Sequence, residues 1–344
     1  MRSPPSSRLE TLPVELLQRI FLDSLELNLP RCSPHLGRAL ANPLLYTWLI
    51  RLAFSSANPG SREAFFTPDF LPPPLDFWAL GWEARQRLQT AILACRWCTL
   101  PLLRQCQREY VDHAIRRKCA DLVFQPDDEA TLSDLGPCFE NLEHCDHAVG
   151  GRRGKGDLVM PAWRRENAQS PPDSSARSID RKVAIWFHFG AVQVREPNEI
   201  YYENDLFRLP CAVTIGPGRI PDKVLRMPWS DAQFEFLQLL ATDFYLDEDE
   251  YSSERSAEIT ARLIRKRSIE PLRRLLRMSF RAANCRVLAR WPLQSAHYAL
   301  LRRYSSGPGD PLASVVLNER WDEIPSSARE DLVRFVHSAL PAGQ

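Results

Sequence analysis

Glycine is scarce, at 14 of 344 residues, or about 4% where soluble domains average about 7%. With 44% hydrophobic and 25% charged residues, that excludes a wholly disordered chain. No sign of charge prevails: 44 Lys and Arg face 43 Asp and Glu, which leaves +1. There is no chain-wide field to hold nucleic acid or an acidic membrane, so any electrostatic function must be local. Long apolar runs are missing too. The longest, Val183 to Val194, contains His188 and Gln193 and falls short of the roughly 20 residues that span a bilayer. Met1 to Glu10 has no apolar run behind Arg2, which argues against a secretory signal and for a soluble protein.

Proline, by contrast, is abundant at 28 residues, about 8% against an average near 5%, and predicts many short helices. Nine cysteines, an odd number without a signal, point to reduced thiols in the cytoplasm or nucleus. The length allows roughly two domains.

Residues 1–8 are rich in Ser and Pro and read as a disordered lead-in. Leu12, Leu16, Leu17, Ile20, Phe21 and Leu25 then form the stripe of an amphipathic helix, with Pro13 in its first turn. A short helix at His35 to Leu40 and an apolar segment from Pro43 to Phe54 follow. Pro72-Pro73-Pro74 is a rigid break. Beyond it, Leu75 to Cys98 and Pro101 to Cys119 predict a helical hairpin, with Trp78, Trp82, Trp97, Leu102 and Leu103 on one buried face. Residues 150–178 turn Gly/Arg-rich and then Pro/Ser/Asp-rich, the composition of a disordered insertion. Alternation from Val183 to Val194 predicts a strand, and Pro210 to Ile215, ending in Gly216-Pro217-Gly218, a second one that completes a small hairpin. Helical spacing returns at Phe234, Leu237 and Leu240, at Ile259, Leu263 and Ile264, and at Leu272, Leu275 and Leu276. Further helices are expected at Leu293 to Tyr304, Pro311 to Trp321 and Ser326 to Leu340.

The decapeptide Leu12-Pro13-Val14-Glu15-Leu16-Leu17-Gln18-Arg19-Ile20-Phe21, followed by Leu25, Leu29-Pro30 and Ser33 to Leu40, resembles an F-box of the filamentous-fungal type. The resemblance covers about Leu9 to Leu52. It implies a helical module that docks on a Skp adaptor and, through it, a cullin. It assigns the adaptor contact to Leu12, Pro13, Leu16, Leu17, Ile20, Phe21, Leu25, Leu29, Pro30, Leu36 and Leu40. Where the family usually has an aromatic near the end of the box, this chain has Leu36 and Leu40. Spacing alone equally describes a helix packed on its own core.

Other constellations favour plain readings. Cys95-Arg96-Trp97-Cys98 lies in a helical pattern, where packed thiols are commoner than zinc ligands. No nucleophile elbow, zincin motif or phosphate loop is present, so no catalytic residue is expected. His188 has no assignable acidic partner. From Arg255 to Arg303, thirteen Arg and Lys face only Glu258 and Glu270. That tract is either a solvated face, in part neutralised by the acidic run Asp243 to Glu250, or a docking face for an acidic or phosphorylated protein. In the second case Arg265, Lys266, Arg267, Arg273 and Arg274 are the candidates. Nucleic acid is the lesser option. The five lysines, Lys118, Lys155, Lys182, Lys223 and Lys266, would limit self-modification of a ligase receptor, though a bias toward Arg codons explains them as well.

The expected protein is mainly α, without cofactor or metal. It has an F-box-like module at 9–54, a helical region at 72–149, the insertion, and a mixed region at 179–344 with a β hairpin and a C-terminal helical array. The expected function is a non-catalytic substrate receptor of a Skp-cullin-F-box ubiquitin ligase. The alternative is a helical interaction scaffold, loosely ankyrin-like around Ala257 to Leu276.

Overall fold

The computed structural model describes residues 8–140, 142, 156–165, 179–198, 206–213, 218–246, 254–281, 288–307 and 309–337. The fold is mainly α and divides into two compact units, Met1–Ile215 and Gly216–Gln344. Among the described residues no helix is long and apolar enough to cross a membrane.

The first unit opens with α1 (Val14–Ser24), α2 (Pro34–Ala39) and α3 (Pro43–Phe54). It continues with α4 (Trp82–Ala94), α5 (Leu100–Lys118), α6 (Pro126–Ser133) and α7 (Gly136–Glu140). Several prolines start helices as well as stopping them. Pro34, Pro43, Pro101 and Pro126 each occupy the first turn of a helix, where a missing N–H costs nothing. Helix α3 is the spine. Leu45, Leu49, Ile50, Leu52, Ala53 and Phe54 are buried, and both α4 and α5 pack against it. The expected hairpin is therefore two helices that share a third. Leu75 to Gly81 stays outside any helix, and Trp78 and Trp82 are 44% and 48% exposed rather than core. Trp78 stands edge-on to Phe66 and Phe77 with the Arg62 guanidinium over its ring.

The sheet of this unit is larger than the sequence suggests. Strands β1 (Leu122–Val123), β2 (Leu158–Arg164), β3 (Arg181–Trp186), β4 (Ala191–Arg195) and β5 (Phe207–Arg208) lie in chain order, each antiparallel to the next. Strand β2 falls inside the segment expected to be a disordered insertion. Met160 and Ala162 are buried while Val159 faces out, the period-two pattern that the flanking Gly, Arg, Pro and Ser obscure. The rest of 150–178 lies outside the described residues, apart from 156, 157 and 165. Val183 to Val194 is a hairpin, not one strand, with Trp186 opposite Ala191. Gly190 makes the reversal at φ +55°, and a Cβ there would sit 2.4 Å from the Leu209 carbonyl oxygen. The second expected strand is displaced: β5 is Phe207–Arg208, and Pro210 to Val213 is irregular. Proline has no N–H to give a ladder. Ile215 to Pro217 lie outside the described residues.

The second unit holds α8 (Asp222–Leu225), α9 (Asp231–Ala241), α10 (Glu254–Arg265) and α11 (Ile269–Arg277). A hairpin of β6 (Ser279–Arg281) and β7 (Leu288–Arg290) follows, then α12 (Ser295–Tyr304), α13 (Pro311–Arg320) and α14 (Ser326–His337). Helix α10 packs on α12 and α11 on α13, so two helix pairs are stacked, and α14 packs on both α12 and α13. The buried Trp291 donates to Thr260 Oγ1 at 2.8 Å, and the buried Arg320 donates to the Trp291 carbonyl at 3.0 Å and to Glu323.

Candidate functional site

Helix α1 starts at Pro13, whose φ of −55° prepares the first turn, and stops at Leu25 in left-handed backbone with its N–H on the Phe21 carbonyl. Leu17, Phe21 and Leu22 are buried, as are Leu36 and Leu40 of the α2 segment. Gln18 Nε2 ties α1 to the end of α2 through the Ala39 carbonyl at 3.2 Å. Ser33 caps α2 by accepting from the Leu36 N–H. The eleven residues assigned to the adaptor contact thus divide. Leu17, Phe21, Leu36 and Leu40 are closed to solvent, whereas Leu12, Ile20, Leu25, Leu29 and Pro30 are half-buried and Pro13 and Leu16 are exposed. Leu16 is 50% exposed. One turn apart at about 100° per residue, Leu16 and Ile20 flank the buried Leu17/Phe21 stripe, so the helix carries more apolar surface than it buries.

The basic tract is mostly paired within its own unit. Arg262 and Arg265 reach Glu258, and Arg273 reaches Glu270. Arg274 pairs with Asp231 and lies over the Phe234 ring; Arg277 pairs with Glu319, Arg290 with Glu323 and Arg302 with Asp331. Arg255 bonds the Asp222 carboxylate and the Ile220 carbonyl. Arg267 is the most committed. In left-handed backbone at φ +52°, it bonds the Tyr304 carbonyl and, at 2.9 Å, the buried carboxylate of Asp310. It ties the α10–α11 turn to the segment before α13. Of the five candidate docking residues only Arg265 and Lys266 are exposed.

The buried cysteines and His188 are tied into the packing and hydrogen bonding of the first unit. Burial pushes the thiols of Cys106 and Cys119 up to about 12, which keeps them protonated at neutral pH. Cys95 and Cys98 are buried between α4 and α5 in sequence, and among the described residues no group of His, Cys, Asp and Glu is placed to hold a metal. His188 sits in the β3–β4 turn with Nε2 2.8 Å from the Leu142 carbonyl, and its own carbonyl accepts from Arg104.

Sequence reasoning passed over one feature, a cleft of about 460 Å³ lined by Arg108, Asp112 and Arg116 of α5 and, from the α6–α7 region, by Leu132, Leu135 and Phe139 together with the polar Ser133 and Asp134. The charge spacing i, i+4, i+8 was its available signal. The chain matches no family model, and neither a curated protein nor a solved structure matches it.

Proposed function

We propose that the chain is the non-catalytic substrate receptor of a Skp-cullin-F-box ubiquitin ligase, docking on the adaptor through α1. The observation that carries this reading is the proline-started helix whose exposed Leu16 and half-buried Ile20 flank a stripe already buried in the chain's own core. Such a surplus apolar edge suits a helix received in a partner's groove. The buried Leu17, Phe21, Leu36 and Leu40 would shape the module, and the edge residues would make the contact. Catalysis is then by proximity, the receptor holding a target lysine near the charged ubiquitin carrier.

The test is co-purification of the full chain with a Skp adaptor and cullin, with Leu16→Asp plus Ile20→Asp as the variant. Two carboxylates forced into an apolar contact cost several kcal/mol. Loss of adaptor with an unchanged circular dichroism melt supports the reading; adaptor retained by the double variant, or never bound by the native chain, refutes it. A second reading, a protein-interaction scaffold without ubiquitin chemistry, draws on the stacked pairs α10/α11 and α12/α13. Partners retained without any adaptor favour it.

A further inference from the structure

The exposed end of α10 reads on into a serine: Arg265-Lys266-Arg267-Ser268-Ile269. Two consecutive cations, one further residue and then a hydroxyl is a charge pattern by which basophilic protein kinases pick their serine, acidic pockets taking the third and second side chains before it. The pattern occurs twice in the chain, here and at Arg302-Arg303-Tyr304-Ser305. The structure separates the two. At the second, the Ser305 hydroxyl oxygen is buried and Arg302 is paired with Asp331. At the first, Arg265 and Lys266 are exposed, and the residue between them and the serine, Arg267, turns its guanidinium inward to Tyr304 and Asp310. Ser268 is half-buried at the start of α11 and does not cap that helix with its side chain. Its hydroxyl is therefore not spent on the helix it precedes.

We propose that Ser268 is a phosphorylation site for a basophilic kinase and that the contact of Arg267 with Asp310 gates it. In the transfer, Ser268 Oγ attacks the γ-phosphorus of ATP and the bond from that phosphorus to the β,γ-bridging oxygen breaks. ADP leaves, and the hydroxyl proton passes to the kinase's catalytic carboxylate. A kinase cleft takes its substrate as extended chain, whereas here Arg265 closes α10 and Arg267 holds left-handed backbone at φ +52°. Straightening this turn requires Arg267 to leave the Tyr304 carbonyl and Asp310. Local opening, not global unfolding, then sets the rate. The product carries a charge of about −1.5 to −2 at neutral pH, enough to cancel Arg265 and Lys266 at the exposed end of α10. An acidic partner drawn to those two side chains would lose its attraction.

The test uses the full chain and does not depend on adaptor binding. The chain is incubated with ATP and the catalytic subunit of cyclic-AMP-dependent protein kinase, and the phosphate is mapped by mass spectrometry. Incorporation at Ser268 with Ser305 unmodified is expected, lost in Ser268→Ala and at least tenfold slower in Arg265→Ala plus Lys266→Ala. Neither change should move the urea transition. Asp310→Asn and Arg267→Ala release the gate from either side and leave both exposed cations in place. Each should be modified several-fold faster at Ser268, with Ser305 still unmodified. No phosphate at Ser268, equal labelling of both serines in the native chain, or a rate indifferent to the loss of Arg265 and Lys266 overturns the site. A rate that neither Asp310→Asn nor Arg267→Ala raises overturns the gate.

Discussion

Asp310 offers the sharpest test of how the second unit is held together. Its carboxylate is fully buried, accepts the Leu312 N–H as the N-cap of α13 and the Ser306 N–H, and receives Arg267 Nη1 at 2.9 Å. Loss of such a cap costs about 0.5–2 kcal/mol. A hydrogen bond to a charged group contributes about 1.5–3 kcal/mol, and the lower scale applies because the Arg267 side chain is 35% exposed and can rehydrate. Asp310→Ala should therefore destabilise by about 2–3.5 kcal/mol, and Asp310→Asn, which keeps a capping oxygen, by about 1.5 kcal/mol. Arg267→Ala should match the Asn variant, and combining the two should cost little more than either alone. Reversing the neighbouring exposed Arg265 and Lys266 should stay within about 0.5 kcal/mol. The assay is urea unfolding followed by circular dichroism, with a double-mutant cycle on the transition that shifts. The pH dependence has a defined sign. Burial alone would raise the Asp310 pKa, but the bonds from Arg267, Ser306 and Leu312 hold it below the usual value. Its contribution is thus present above about pH 4, the unfolded value, and disappears as pH falls through the lower folded one. An interaction energy below about 0.5 kcal/mol would refute the clasp.

Three further outcomes are expected. Leu17→Ala should cost about 2–5 kcal/mol of stability and Leu16→Ala less than about 0.5 kcal/mol, since the first is fully buried and the second half exposed; similar melting temperatures for both would sink the division of α1 into core and edge. Burial depresses the pKa values of His113 and His297, whose Nε2 atoms meet the carbonyls of Phe65 and Ala257. Stability should be complete above about pH 6.5 and fall as pH drops toward the depressed values, a slope in urea midpoint that vanishes in the double Gln variant. Cys32 is exposed and should react promptly with a thiol reagent, while Cys106 and Cys119 should wait for unfolding, a difference read by mass mapping of the labelled chain.

Helices were legible where apolar spacing and punctuation agreed. Pro34, Pro43 and Pro311 mark starts that the structure keeps, and the apolar residues between them repeat at helical spacing. Strands were legible only as short-range alternation, which does not say where the chain reverses. Val183 to Val194 alternates throughout because Phe187 to Gly190 continues the chemistry of the strand across the turn, so only Gly190 marked the break. Strand β2 escaped because composition averaged over 150–178 drowned a run of seven residues. Its stability comes from pairing with β3, a contact far along the chain that no local window contains.

Charge was the least legible property, for a reason that bears on every docking argument from sequence. A window from Arg255 to Arg303 counts thirteen cations and two acids and looks like a strongly basic face. Most of the neutralising carboxylates lie outside it: Asp222 and Asp231 precede the window, while Asp310, Glu319, Glu323 and Asp331 follow it. Helix stacking brings them in, because a helix packed on its second neighbour meets side chains some forty residues away. The same stacking decides which reversals are informative. A triple change of Arg265, Lys266 and Arg267 to Glu would break the Arg267–Asp310 clasp and report unfolding as loss of a partner. Reversing Arg265 and Lys266 alone leaves the clasp intact. A partner that survives this double change does not depend on the exposed end of α10; one lost while the urea transition stays put does.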